Sequence, residues 1–422
     1  MPLALFDAVE HALCHNPQTR EAWANVKAQA AQLGSARAAY LPTLNGSIQE
    51  IHDHVVTQVP SEEILDTALW SQYQTDTLSM SWLLYDFGAR AASLNNAKAM
   101  LQAAQADQEE ALQKVFATTA KDFYAAVAAQ SNVMATHSIA DDAKQTLRAA
   151  TSRVSGGVAA ISDQLQAQTA YTQARLNQVK ADGDLRNALG ALALDMGLRV
   201  NQVPAVAAGQ TSDQSRQTIL QPVENLLIVA EQHNPSLAAA QAQLTAAQAK
   251  AQQIRAQGRP TISLTARSSH STQPLSLGAG LPNIGSHTQE RYIGLELDVP
   301  LFEGFNRTYQ IRNSEAEAEA QQAKLDEVKQ QIESDVWNNY QALTTSTENL
   351  QISAELLDSA QAAFNAGKKR YEQGVADILE LLNMQTALAN ARQQRIQALS
   401  DWETARLQLA ASIGQLGMKD LH

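Results

Sequence analysis

Two pairs of histidines have a spacing that could bind a metal ion. His52 and His54 lie two residues apart and would share one face of a strand, whereas His11 and His15 lie four apart, as on one face of a helix. A metal site needs further ligands, and no third ligand is evident beside His11 and His15. We therefore interpret both pairs as ordinary solvated side chains and predict no metal site.

No sequence motif of catalysis or cofactor binding is present. The chain contains no GxxxxGKS or GxxxxGKT, HExxH, GxSxG or GxGxxG, and Gly367-Lys368-Lys369 lacks the upstream glycine of a phosphate-binding loop. The single cysteine, Cys14, cannot form an internal disulfide and has no catalytic context. We predict a protein that is not an enzyme and that uses no cofactor.

The composition favours long helices and argues against nucleic-acid binding. The 422 residues carry 31 Lys+Arg against 43 Asp+Glu, a net charge of −12, whereas nucleic-acid binding calls for a basic face. Aromatic residues make up only 5%, and Ala and Gln abound. No apolar run reaches the roughly 18 residues of a transmembrane helix. Membrane-spanning strands are not excluded, because their signal is only alternation.

The chain is built from two copies of one unit. His15-Asn16-Pro17 recurs as His233-Asn234-Pro235, and Arg153, Gly157 and Gly197 recur at Arg370, Gly374 and Gly414 with a shift of 217. A constant offset over most of the chain indicates an internal repeat. We divide the chain into a first repeat (1–197), a linker (198–222) and a second repeat (223–422).

Each repeat has the pattern of helices that flank two strands. A helix breaks at the Asn-Pro step, because proline disfavours the α conformation of the residue before it. A helix of about 65 residues follows the strands, and a shorter helix returns. Positions seven apart, which predict supercoiled helix packing, are apolar: Val336, Leu343, Leu350, Leu357, Phe364 and Tyr371 in the long helix, and Leu381, Leu388, Trp402 and Leu409 in the returning one.

The strand segments alternate between apolar and polar residues. Leu78, Met80, Trp82 and Leu84 would point one way, and Thr77, Ser79 and Ser81 the other. In the second repeat, Ile293, Leu295, Leu297 and Val299 oppose Gly294, Glu296 and Asp298. The segment from Thr43 to Ile51 alternates less clearly.

Four strands cannot close a barrel alone. In a bilayer, open sheet edges are not tolerated, so strands from several chains would have to meet. Two chains would give 8 strands and a filled interior, and three would give 12 and room for a channel. Aromatic residues lie where strands meet helices, as an interfacial girdle would; they are Tyr40, Trp82, Tyr85, Phe87, Phe302 and Phe305.

The sequence resembles the TolC family of outer-membrane efflux proteins. The resemblance rests on Leu5-Phe6-Asp7-Ala8-Val9, Tyr40-Leu41-Pro42-Thr43-Leu44, Leu84-Tyr85-Asp86-Phe87-Gly88-Ala89-Arg90 and Tyr371-Glu372-Gln373-Gly374-Val375. It implies a mainly α fold with a membrane β-barrel. A homotrimer would form a 12-stranded outer-membrane barrel in lipid, continued by a long α-helical periplasmic barrel. The linker and the C-terminal end would form an equatorial belt.

The resemblance also implies a function. The trimer would be the passive exit duct of a tripartite efflux pump or a type I secretion system. Its partners would be a periplasmic adaptor (membrane fusion) protein and an inner-membrane transporter, whose docking opens the duct. The chain opens without a basic segment followed by an apolar one, so we expect any signal peptide to have been removed.

The same resemblance places a constriction at the periplasmic helix tips. The positions that match the family's are Glu380 and Asn383 in the second repeat, Asp163 and Gln166 in the first, and the gate tyrosine Tyr371. Three-fold symmetry would turn Glu380 into a ring of carboxylates that attracts cations. The family's latch arginine is replaced by Ala376, which puts the salt-bridge latch in doubt.

The resemblance also implies that the turns at these tips are the adaptor-docking surface. Glycine suits them because tight turns need permissive backbone angles, and the candidate docking residues are Gly156, Gly157, Val158, Gly374 and Val375. The alternative to a duct is a soluble coiled-coil scaffold without channel activity. The alternation of the strands favours the duct, because a scaffold has no need for it.

Overall fold

The chain follows one order of elements twice. The computed structural model describes residues 3–62, 64, 66–202, 205–207, 222–275 and 284–416. The elements of the first half are α1 (Leu5–His15), α2 (Pro17–Ala38), β1 (Thr43–Thr57), β2 (Thr67–Tyr85), α3 (Ala89–Ser155) and α4 (Ile161–Asp195). Those of the second half are α5 (Val223–His233), α6 (Pro235–Gln257), β3 (Thr261–Ser271), β4 (Thr288–Asp298), α7 (Asn306–Glu372) and α8 (Ile378–Ser412). Both long helices have 67 residues and both returning helices 35, so the mainly helical fold is confirmed.

Two compact units divide these elements. The helical unit comprises Met1–Val26, Ala104–Ala240 and Leu325–His422, and the strand unit comprises Lys27–Ala103 and Gln241–Lys324. Within the described residues, no helix is long and apolar enough to span a membrane. Most of the predicted linker 198–222 lies outside the described residues.

The strand unit contains a four-stranded antiparallel sheet in the order β1-β2-β3-β4. One row of Cα partners across the sheet is apolar: Leu44, Met80, Ala266 and Ile293. The adjacent row is polar or small: Thr43, Ser81, Thr265 and Gly294. Because neighbouring residues of a strand point to opposite faces, the sheet has one apolar and one polar face, as the alternation predicted.

The sheet departs from the predicted alternation at the end of β2 and extends the predicted strand at β1. The register shifts between Leu83 and Tyr85, so Leu84, the last residue of the predicted apolar set, has no Cα partner on β3. An irregularity of this kind inserts an unpaired residue and bends the strand. Strand β1, which the sequence indicated only weakly, pairs with β2 along its whole length from Thr43 to Thr57.

The predicted heptad positions form the core of the helical unit. One cluster joins Val336, Leu343 and Leu350 of α7 to Trp402 and Leu409 of α8. A second cluster lies next to the α7–α8 turn and contains residues of the two long helices, α3 and α7, and the two returning helices, α4 and α8: Ala150, Ala167, Ala360, Phe364, Tyr371, Ile378, Leu381, Leu388 and Ala391. The seven-residue spacing therefore marks the side chains that pack the helices together.

The Asn-Pro steps are helix breaks with a defined hydrogen-bond pattern. Asn16 accepts a hydrogen bond from Gln18 N at 2.8 Å, which caps α2, and donates to Asp195 O at 2.9 Å at the end of α4. In the second repeat, Asn234 accepts from Ser236 N at 2.9 Å and donates to Ser412 O at 3.0 Å. Each asparagine thus ties the start of one helix to the end of another.

Candidate functional site

The helix tips of the helical unit end in two turns of the same type. In the first, Gly157 N donates to Val154 O and Val158 N to Arg153 O, both at 3.0 Å, with Gly157 at φ +74°. The second turn repeats these bonds, and its Gly374 has φ +80°. This is the Schellman pattern, in which a left-handed glycine satisfies the last helical carbonyls.

The turns leave two apolar side chains in solvent. Val158 is 69% exposed and Val375 is 65% exposed. They follow the left-handed glycines directly, so each projects from the end of its hairpin. Together with Gly156, Gly157 and Gly374, they form the surface that the sequence predicts as a docking site, and that role stays a prediction.

Arg153 connects the two hairpins within the chain. Its Nη1 donates to Tyr371 O at 2.9 Å, and its guanidinium carbon lies 4.8 Å from the centre of the Tyr371 ring. The acceptor is a carbonyl in the last turn of α7, where the helix dipole favours a cation. At the position of the family's latch arginine, this sequence has Ala376. In the structure, the arginine that makes a contact across the two hairpins is Arg153 of the first repeat.

The side chain of Tyr371 is buried beside the tip. It is 3% exposed and belongs to the core cluster beside the tip. Burial raises the pKa of its phenol, the guanidinium of Arg153 opposes that rise, and the carboxylate of Asp163 adds to it. Arg153, Tyr371 and Asp163 thus interact electrostatically across the two repeats.

Glu380 forms an ion pair inside the second hairpin. Arg370 Nη1 lies 2.5 Å from Glu380 Oε1, and the two side chains are 52% and 31% exposed. Asp377 caps α8, because its Oδ1 accepts a hydrogen bond from Glu380 N at 2.7 Å. The carboxylate of Glu380, whose place in a ring stays a prediction, is therefore paired with a guanidinium of its own chain.

The other predicted constriction residues lie on the first turns of the returning helices. Asp163 is partly exposed and accepts a hydrogen bond from the Ser162 hydroxyl at 3.2 Å. Among the described residues, no cation lies within ion-pair distance of Asp163. Gln166 is partly buried, and Asn383 is exposed. Their part in a constriction stays a prediction.

The predicted aromatic residues lie around the strand–helix turns of the strand unit. Trp82 Nε1 donates to Tyr40 O at 2.9 Å, Tyr85 packs edge-on to Phe87, and Phe302 packs edge-on to Phe305. Phe87 and Phe305 have φ of 51° and 65°. A bulky residue in the left-handed region is strained, so the turns hold these rings at a local cost.

Sequence reasoning gave no role to the arginines at the starts of the long helices. Arg90 pairs with Asp86 at 3.2 Å and donates to Leu84 O at 3.0 Å, and its guanidinium lies 4.7 Å from the Tyr40 ring centre. In the second repeat Arg307 binds both carboxylate oxygens of Glu303, each at 3.1 Å. The signal was available, since both acids precede their arginine by four residues and the pairs are 217 apart.

Both histidine pairs contribute to ring-stacking contacts in the structure. His54 stacks on Trp70 with centroids 3.8 Å apart, and His11 stacks on His15 at 4.2 Å and contacts Met196 O at 2.9 Å. Among the residues that the structure describes, no group of three or more His, Cys, Asp or Glu side chains is placed to hold a metal.

The family model described as "Outer membrane efflux protein" matches residues 8–198 and 226–415. The chain is 31% identical over 419 residues to Protein CyaE of Bordetella pertussis, spanning 98% of this chain and 85% of that protein. It is 23% identical over 425 residues to the Outer membrane protein TolC of Escherichia coli, spanning 99% and 83%.

A solved channel has the same fold. The structure superposes on the CmeC outer membrane channel of Campylobacter jejuni with a TM-score of 0.84 at 17% identity, covering 97% of this chain and 85% of that one. The family model covers nearly all of both repeats, so the resemblance noted in the sequence is confirmed, and the chain is an outer-membrane protein. The chain belongs to the outer membrane efflux protein family.

Proposed function

We propose that three copies of this chain form the exit duct of an efflux pump or a type I secretion system in the outer membrane. The observation that carries the proposal is the sheet of the strand unit. Its apolar face is largely exposed in one chain, with Ile293 and Leu295 each 72% exposed. Strands β1 and β4 are its edges. Apolar strands with open edges suit a bilayer only when other copies close the ring.

Twelve strands are the closed arrangement that leaves a channel. A ring of this size has room for a water-filled lumen, unlike the filled interior of an eight-stranded barrel. The polar face, with Thr43, Ser81 and Thr265, suits the lumen, and the apolar face suits lipid. The exposed rings of Tyr85, Phe302 and Phe305 would lie at the membrane interface. Twelve long helices would continue the barrel into the periplasm.

The two repeats, 1–197 and 223–422, would each supply two strands to this ring. We assign segment 198–222 to an equatorial belt around the helices. Its described part supports a packed position, because Leu3 N donates to Ala205 O at 2.7 Å, Ala207 N donates to Leu3 O at 2.9 Å, and Val206 is buried.

The duct would be passive and closed at the helix tips. The contact of Arg153 with Tyr371 supports closure, since it holds the two hairpins together. A periplasmic adaptor protein would dock on the turns that carry Val158 and Val375, and an inner-membrane transporter would complete the path. The proposed activity is passive conduction, in which no residue carries out a chemical step.

Bilayer conductance of the detergent-purified protein tests this function. We expect a trimer with small conductance, and Arg153→Ala should open it more often. The substitution removes a charge-assisted hydrogen bond and a cation–π contact, together about 2–4 kcal/mol per chain. Arg148→Ala, at an exposed position on the same helix, is the control and should leave conductance unchanged.

Two results would contradict the proposal. A freely soluble monomer that makes no channels would favour a coiled-coil scaffold instead. Channels whose conductance is the same with and without Arg153 would place the closure elsewhere than the tips.

A further inference from the structure

Arg153 and Arg370 occupy equivalent places in the two repeats but bind different partners. They are 217 residues apart, and the carbonyl of each accepts the hydrogen bond that closes its turn, from Val158 N and Val375 N. Arg153 crosses to the carbonyl of Tyr371. Arg370 remains in its own hairpin and pairs with Glu380. The repeat thus uses one residue type for two purposes.

We propose that Arg370 sets the ion selectivity of the periplasmic constriction by neutralising Glu380. The inference rests on the proposed function, in which the helix tips of three chains surround a common axis. Within this chain, the ion pair of Arg370 and Glu380 cancels one charge of each sign, whereas no described cation pairs with Asp163.

The geometry at the start of α8 separates this pairing from an ordinary helix cap. Asp377 is the N-cap, and its side chain binds the backbone N of Glu380, three residues on. In a full capping box the side chain of Glu380 would turn back to the N-cap amide. Here its Oε1 is on Arg370 instead. The cap holds the backbone of Glu380, and Arg370 determines where its charge lies.

The charges of Arg370 and Glu380 should affect a passing ion more than the pair affects the stability of the fold. Both side chains are partly exposed, and exposed ion pairs contribute little to folding. Their effect on a nearby ion is larger, because three-fold symmetry triples every change. Three unit charges, each about 8 Å from a cation on the axis and screened at 0.15 M salt, would change the local cation concentration about threefold. The change should grow as the ionic strength falls, because the Debye length increases.

The reversal potential of the trimer in a KCl gradient tests the proposal with charge-matched variants. Arg370→Gln should raise the cation preference about threefold at 0.15 M salt, and Glu380→Gln should lower it by a similar factor. The double variant Arg370→Gln/Glu380→Gln should return to the wild-type value, because it removes a neutral pair. Arg370→Lys should keep the wild-type value, and Asp163→Asn should lower the preference.

The double variant distinguishes this proposal from a bare ring of Glu380. If Glu380 acted alone, Arg370→Gln would change nothing and the double variant would match Glu380→Gln, and that result would overturn the inference. Unchanged selectivity in every variant of a conducting trimer would also overturn it. Failure of the proposed function looks different, because then the wild-type protein itself would make no channels.

Discussion

At the scale of single residues, Asp122 and Asp195 bring two carboxyl groups together near the end of α4. The pKa of Asp195 rises to about 7, because the residue is half buried and the carboxylate of Asp122 lies beside it and forms a hydrogen bond with it. The offset of 217 places Asn339 and Ser412 at these positions in the second repeat. The second repeat therefore forms the corresponding helix end without a carboxyl group at either position.

This pair predicts that stability falls as the pH rises through the acid range. The folded pKa of about 7 lies above the ordinary value of 3.8, so the native state holds more protons between these pH values and loses stability as they leave. Asp195→Asn should raise the free energy of unfolding at pH 8 by about 1–2 kcal/mol, a value discounted for solvent screening.

Urea unfolding of the purified protein at pH 4 and pH 8 measures this effect. The variant and the wild type should differ little at pH 4 and most at pH 8. Asp184→Asn, which alters an exposed carboxylate on the same helix, should behave like the wild type. An unchanged pH dependence in Asp195→Asn would remove the carboxyl pair as its cause.

At the scale of secondary-structure elements, the joints at the Asn-Pro steps require close approach of two chain segments. Gly197 has φ +70°, and a Cβ there would lie 2.8 Å from His15 O. Gly414 has φ +74°, and a Cβ there would lie 2.6 Å from His233 O. Both glycines follow the end of a returning helix, so the helix ends and the Asn-Pro breaks form one unit of structure.

Gly414→Ala should therefore destabilise the helical unit. The new Cβ meets backbone, which cannot move aside easily, and the residue keeps a positive φ; we expect a loss of about 2–4 kcal/mol in the free energy of unfolding. Gly183→Ala on α4 is the control, because a Cβ at that position would have nothing within 4 Å and alanine favours helices. Equal stabilities of the two variants would contradict the close approach.

The elements were largely predictable from periodicity, and the contacts between them were not. Spacing by seven identified Leu343 and Leu388 as core residues, and alternation by two identified Met80 and Ile293 as one face of a sheet. The register irregularity after Leu83 leaves no comparable signal, because it depends on how β2 meets β3.

At the candidate site, too, the positions of residues were predictable but their contacts were not. Matching the repeats located the tips, because glycine and proline positions remain in step along the chain, and the family resemblance pointed to Glu380. Repeat matching could not separate Arg153 from Arg370, since residues of one type at equivalent positions contact different partners. Such differences arise only when the two hairpins pack against each other.

At the scale of the whole molecule, the two strand pairs differ in length. Strands β1 and β2 have 15 and 19 residues, whereas β3 and β4 have 11 each. The register of β2 with β3 ends at Thr75, and one further backbone hydrogen bond runs from Thr272 N to Gln74 O, whereas β2 pairs with β1 back to Thr67. In the proposed trimer, long and short hairpins would alternate around the ring, three of each.

Cross-linking of the sheet edges in the native membrane tests most directly whether copies of the chain complete one another. In a Cys14→Ser background, cysteines at Asn45 or Ser47 on β1 would be combined with cysteines at Gly294 or Glu296 on β4. Disulfides form only when Cα atoms approach within about 7 Å. We predict covalent species up to three times 45.6 kDa and none larger, because the ring closes at three. Only monomers, or a ladder that continues beyond three, would contradict the account.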